Sequence, residues 1–136
     1  MRSAVDSSVL LDILGPSARF GPASRRVLQR ALAEGALVAC EVVWAEVRAY
    51  FPNRSLFEGA LAELGVGFEA CDPATAEAAG EAWREYRHAG GMRSTIVPDF
   101  LVAAHARLQA DRLITRDRGF LRSSFSGLKV LDPTET

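Results

Sequence analysis

Between Ile96 and Phe120 a helix start, a helix of small apolar residues and a short buried strand follow one another. Pro98 suits a first helical turn, because its missing N–H is one that a helix leaves unpaired anyway. Asp99 beside it meets the positive end of the helix dipole. Val102, Ala103, Ala104 and Ala106 line the helix and are small enough to bring it close to a sheet. Leu113 and Ile114 predict a buried strand, with Asp117 just past its end. In an open parallel α/β sheet, functional groups collect at the carboxyl ends of strands and the helix starts that follow. Two acids are therefore aimed at one rim, and the rest of the chain can be read by asking what else reaches it.

The order strand–helix recurs along the chain. Arg2–Val5 predicts a strand ending at Asp6, and Val9–Leu14 an apolar helix stopped by Gly15-Pro16. Asp6 suits a helix N-cap as well as a catalytic role. Asp12 reads as a solvated or locally paired residue. Pro22 opens a helix to Glu34 with Val27, Leu28, Ala31 and Leu32 inward and Arg25, Arg26 and Arg30 solvated. Ala36–Cys40 is apolar without alternation, which suits a central parallel strand. A helix over Glu41–Phe51 follows, closed by Pro52, in which Glu41 needs only the helix dipole to explain it. Glu46 shares its helical face with Val42, Val43, Ala49 and Tyr50. A carboxylate on such a stripe is costly unless paired with an arginine or bound to a metal.

Ser55–Leu64 predicts a helix with Leu56, Phe57, Ala60, Leu61 and Leu64 inward, and Val66–Ala70 a short strand. Asp72 and Pro73 read as N-cap and first residue of a long helix to about His88. Its packing face reads as Ala76, Ala79, Gly80 and Trp83, with Arg84, Arg87 and His88 complementing the dipole at its end. His105 reads as a surface or core histidine rather than a ligand. The loop Ala89–Thr95 leads into Pro98-Asp99, and loops at such a rim touch substrate. A last strand falls at Leu128–Leu131. The class is α/β with a mostly parallel sheet, in one domain over residues 1–136.

Composition narrows the partners. No apolar run approaches the roughly 20 residues of a membrane span, and no signal peptide is expected. Cys40 and Cys71 have no metal-like spacing, so they read as reduced, buried thiols of a cytoplasmic protein. The 49% hydrophobic fraction favours an apolar surface covered by a partner or a second copy. The net charge of −1 looks poor for a nucleic-acid binder. Setting aside four acids as a metal site leaves 17 − 4 = 13 acids against 16 bases, or +3. All bases but Lys129 are arginine, whose planar fork binds two phosphate oxygens at once.

Asp6, Glu46, Asp99 and Asp117 fall at comparable places: strand ends and the helices that follow them. Four carboxylates in one pocket cannot all stay ionised without cations. Hard divalent ions with oxygen ligands, Mg²⁺ or Mn²⁺, answer that need, and no Cys/His set for structural zinc is apparent in the spacing. Ions so held activate water and stabilise the leaving oxygen of a phosphodiester. Arg93, Thr115 and Arg116 are the candidate substrate contacts, with Arg93 favoured for phosphate and Thr115 also suited to orienting a carboxylate or closing a strand-end turn.

Val5-Asp6-Ser7-Ser8, Val43-Trp44-Ala45-Glu46-Val47, Pro98-Asp99-Phe100-Leu101-Val102-Ala103-Ala104 and Leu113-Ile114-Thr115-Arg116-Asp117-Arg118-Gly119-Phe120 resemble the PIN-domain family. More narrowly they resemble the VapC-type toxins of type II toxin–antitoxin pairs. The resemblance implies a single PIN-like domain with a five-stranded parallel sheet between helices. It implies Mg²⁺- or Mn²⁺-dependent endoribonuclease activity carried by Asp6, Glu46, Asp99 and Asp117. It also implies a homodimer, an RNA substrate and a cognate antitoxin whose segment blocks the acidic pocket.

Two other classes compete. A receiver-type phosphorylation switch is also a small α/β domain with an acidic rim. It needs a phospho-acceptor aspartate after a mid-chain strand, where this chain has Ala39-Cys40-Glu41, and a lysine at a late strand end, whereas Lys129 begins or lies within the last strand. A non-catalytic binding module of PIN fold needs none of the four acids.

Overall fold

The computed structural model describes residues 1–15, 17–90, 97–117 and 124–135. The elements are β1 (Arg2–Val5), α1 (Ser7–Leu14), α2 (Gly21–Glu34), β2 (Ala36–Ala39), α3 (Glu41–Arg48), α4 (Arg54–Leu64), β3 (Val66–Phe68), α5 (Pro73–His88), α6 (Val97–Gln109), β4 (Arg112–Ile114) and β5 (Val130–Leu131). The five strands form one sheet in the order β3-β2-β1-β4-β5, and every pairing is parallel. Ser3, Ala4 and Val5 are all buried. Successive strand residues point to opposite faces, so both faces of β1 are covered.

The chain builds outward from β1 to β2 and β3, then returns to build β4 and β5 on the other side. The strand order therefore reverses between β1 and β4, which is where open α/β sheets open a crevice beyond their carboxyl ends. The register aligns Val5 with Ile114, so Asp6 and Thr115 emerge side by side. Asp6 N–H donates to Ile114 O at 3.0 Å, locking that alignment.

The small residues of α6 do what their size allows. Ala103, Ala104 and Ala106 are essentially inaccessible, and α6 packs on both β1 and β4. Phe100 is fully buried beside Tyr86 (centroids 5.5 Å apart) and Phe125 (6.1 Å). Full burial of such a ring contributes about 1.5–3 kcal/mol. Gly35 ends α2 where β2 meets the amino terminus: a Cβ there would fall 1.8 Å from Met1 O, against which Ala36 N–H donates at 2.9 Å.

Several expected boundaries and faces move. Helix α3 stops at Arg48, because Asn53 N-caps a new helix, accepting Leu56 N–H at 3.0 Å. Leu32 and Leu56 are exposed rather than inward. The buried stripe of α5 runs through Thr75 and Ala79, while Ala76 and Gly80 face out, a rotation of one residue. The strands β2, β3 and β5 are each shorter than expected. Asp72 accepts Thr75 N–H at 2.8 Å and Pro73 opens α5, as the sequence indicates. No helix among the described residues is long and apolar enough to cross a membrane.

Candidate active site

Asp6 is both cap and candidate ligand. Its Oδ1 accepts Ser7 N–H at 2.8 Å, closing the start of α1. Its Oδ2 accepts two hydroxyls, Ser8 Oγ at 3.0 Å and Thr115 Oγ1 at 2.8 Å. Thr115 is completely buried, and its Oγ1 also accepts Asp117 N–H at 3.0 Å. One hydroxyl thus ties the first acid to the backbone of the last, across the β1–β4 switch point.

Glu46 enters from α3. Its Oε1 accepts the Ser7 hydroxyl at 3.1 Å, which places it on the same polar chain as Asp6. It is exposed at the edge of its helix, and its neighbour Tyr50 is 72% exposed. The expectation of a carboxylate embedded in an apolar stripe is therefore corrected: α3 ends before Tyr50, so the stripe does not continue past Val47. Glu46 still holds its proton more tightly than an ordinary glutamate. Partial burial contributes most, the negative charges of Asp6 and Asp99 add to it, and the Ser7 hydroxyl opposes it. Asp99, exposed in the first turn of α6, thereby shares one electrostatic field with Asp6 and Glu46. Asp117 is exposed two residues beyond Thr115.

Crowding is looser than expected. Among the described residues, the one trio of donor atoms lying within 4.8 Å of one another is Cys40, Glu41 and Cys71, not a set from the acidic rim. The all-oxygen donor set fits Mg²⁺ or Mn²⁺ rather than zinc. Its wider spacing fits an ion that dehydrates reluctantly and keeps several waters. Asp6, Glu46, Asp99 and Asp117 are the residues that would hold it.

Arg116 is committed elsewhere. Its guanidinium grips Asp12 through Nε–Oδ2 at 2.7 Å and Nη2–Oδ1 at 3.0 Å, and lies 4.1 Å over the Phe20 ring. Asp12 is buried and also accepts Ser24 Oγ at 2.9 Å. Its signal was available in the sequence, an acid inside the apolar run Val9–Leu14, but its partner lies 104 residues away. Arg93 lies outside the described residues. Ser7 and Ser8, which orient Glu46 and Asp6, are the site residues whose part is visible only in three dimensions.

Comparison with known proteins places this geometry. The PIN domain model matches residues 4–125. Among curated protein sequences, none matches significantly. Among solved structures, VapBC2 from Rickettsia felis bound to a promoter DNA fragment is similar at a TM-score of 0.75 and 13% identity, covering 97% of this chain and 98% of that one. FitAcB from Neisseria gonorrhoeae gives 0.71 and 18%, covering 96% and 97%. A toxin–antitoxin complex from Klebsiella pneumoniae gives 0.66 and 21%, covering 98% and 99%. At these identities the likeness is one of fold. With 122 of its 136 residues inside the family model, the chain belongs to the PIN-domain family.

Proposed function

We propose that this PIN domain is the toxin of a toxin–antitoxin pair and a Mg²⁺- or Mn²⁺-dependent endoribonuclease. The observation that carries the reading is the field shared by Asp6, Glu46 and Asp99 at the strand-order switch, with Asp117 tied to it through Thr115. A divalent ion bound there supplies activation of water and stabilisation of the leaving oxygen of a phosphodiester. The chain's own part is orientation. Thr115, Ser7 and Ser8 hold Asp6 and Glu46 by hydroxyl bonds that fix direction while leaving the carboxylates' charge intact. Arg93 is the proposed phosphate contact, while Thr115, buried beneath Asp6, and Arg116, held by Asp12, are proposed as supports of the rim rather than contacts to substrate.

The toxin reading is supported by the structural likeness to a toxin–antitoxin complex from Klebsiella pneumoniae, alongside VapBC2 and FitAcB. Tyr50, Leu56 and Phe68 are more than half exposed and offer apolar surface to an antitoxin or a second copy, a homodimer being part of the proposal. Expression in the cytoplasm follows from that role. Membership in the PIN family replaces the receiver reading.

The test is Mn²⁺-dependent cleavage of an RNA pool by the wild type and by Asp6→Asn and Asp99→Asn. Loss of cleavage in both, with unchanged circular dichroism, is expected. Retained cleavage by both would remove the nuclease reading, and absence of Mn²⁺ binding by calorimetry would leave a non-catalytic binding module.

A further inference from the structure

The ends of β2 and β3 carry a second cluster that the acidic rim does not use. Ala39 pairs with Phe68, and Glu69 N–H continues the ladder to Ala39 O at 2.9 Å. The residues that follow on both strands therefore run side by side: Cys40 and Glu41 from one, Cys71 from the other. Glu41 accepts Cys71 N–H with both carboxylate oxygens, at 3.1 and 3.2 Å. The two sulfurs and a Glu41 oxygen all lie within 4.8 Å of one another. Thirty residues separate Glu41 from Cys71, so no spacing in the sequence announces the trio.

We propose that Cys40, Glu41 and Cys71 form a binding site for a thiophilic divalent cation, Zn²⁺, separate from the acidic rim. Zinc takes sulfur at about 2.3 Å and carboxylate oxygen at about 2.0–2.2 Å in a tetrahedron, so donors already this close need only small side-chain rotations. Three protein donors leave the fourth position to water. The donors are graded in depth: Cys40 is buried, Cys71 half-buried and Glu41 exposed, which gives an ion a path in from solvent. Binding releases the two thiol protons to water.

The Glu41 carboxylate beside the two sulfurs is an attraction for a divalent ion. Behind it lies His105, buried to 1% exposure and electrostatically coupled to Glu41. Its Nε2 stands 3.2 Å from Glu69 Oε1, out of line for a hydrogen bond, and neither atom has a hydrogen-bond partner. Sulfur donors select zinc where the all-oxygen rim selects magnesium or manganese, so the two sites would fill independently. Zinc here would clamp the start of α3, the helix that carries Glu46.

The test uses the full chain, reduced and stripped of metal by a chelator, with Co²⁺ and Zn²⁺ alone as probes. Expected are one equivalent of Zn²⁺ bound and a near-ultraviolet thiolate-to-cobalt charge-transfer band that Zn²⁺ displaces. A hundredfold excess of zinc over its Kd should raise Tm by roughly 10 °C. These signals should persist in Asp99→Asn, disappear in Cys71→Ser and weaken at least tenfold in Glu41→Gln, whose exposed side chain keeps the fold out of question. Absence of the charge-transfer band, or its survival in Cys71→Ser, would overturn the proposal. So would a reduced-and-stripped protein that, exposed to air in the presence of zinc, is oxidised by oxygen to a Cys40–Cys71 disulfide, 2 Da lighter, instead of holding the ion.

Discussion

Asp6 and Asp12 stand six residues apart at one end and within one helix, and the fold treats them in opposite ways. Asp12 is buried and has its counter-charge built in, with both oxygens gripped by Arg116. Asp6 is held by a backbone N–H and two hydroxyls, all neutral. Among the described residues no lysine or arginine forms an ion pair with Asp6, Glu46 or Asp117. The difference separates a carboxylate that holds structure from one kept available. Neutral donors fix direction without cancelling charge, which leaves attraction for a cation from outside.

The contrast breaks hardest at Asp6. Asp6→Asn is expected to lower Mn²⁺-dependent RNA cleavage by about a thousandfold, the equivalent of about 4 kcal/mol of barrier. The free energy of unfolding in chelator should not fall by more than a cap contributes, about 1 kcal/mol.

The opposite profile is expected at Arg116. Arg116→Met leaves Asp12 buried without its partner, and the Arg116 side chain is itself 29% exposed. Loss at the low end of the range for broken buried pairs, about 3 kcal/mol, should appear in urea unfolding. Cleavage per folded molecule should change less than tenfold. A larger drop would show that Arg116 also touches substrate.

Between the two sits Thr115→Val. It removes the hydroxyl that orients Asp6 and receives Asp117 N–H, with the volume kept. Loss of such an outer support costs about 10–100-fold in metal affinity or activity. Calorimetry with Mn²⁺ checks it, and unchanged affinity would detach Thr115 from the site.

The smallest effect concerns pH. Glu46 binds its proton more tightly in the folded chain than in the unfolded one, from burial first and then from Asp6 and Asp99. The folded state therefore binds more protons as the pH rises through the carboxylate range, and stability in chelator declines there. Glu46→Gln should consequently melt about a degree higher than wild type at pH 7 in chelator, with the gap closing below about pH 4. A mutant that melts lower at pH 7 would make Glu46 a structural residue like Asp12.

Local chemistry made much of this chain legible. Pro98-Asp99 and Asp72-Pro73 start helices where short-range sterics and capping say they should. The unbroken apolar character of Ala36–Ala39 marks a strand covered on both faces. Asp6 follows β1 directly and Asp99 lies in the first turn of α6, so those two positions were legible, whereas Glu46 lies beyond the first turn of α3. Faces were less readable than elements. A helix offers a residue to the core or to water according to what packs beside it, and so Leu56, Ala76 and the surroundings of Glu46 went the other way.

What the sequence alone determined is the alternation of elements and the kinds of side chain that end each strand, since both follow from covalent geometry and local capping. Only the tertiary structure decided which of those side chains meet. Parallel pairing joins residues far apart along the chain, so the Thr115–Asp6 bond, the Arg116–Asp12 pair and the Cys40–Cys71 approach all depend on register. A one-residue slip would turn the strand side chains to the other face of the sheet and shift the residues at the strand ends out of these contacts.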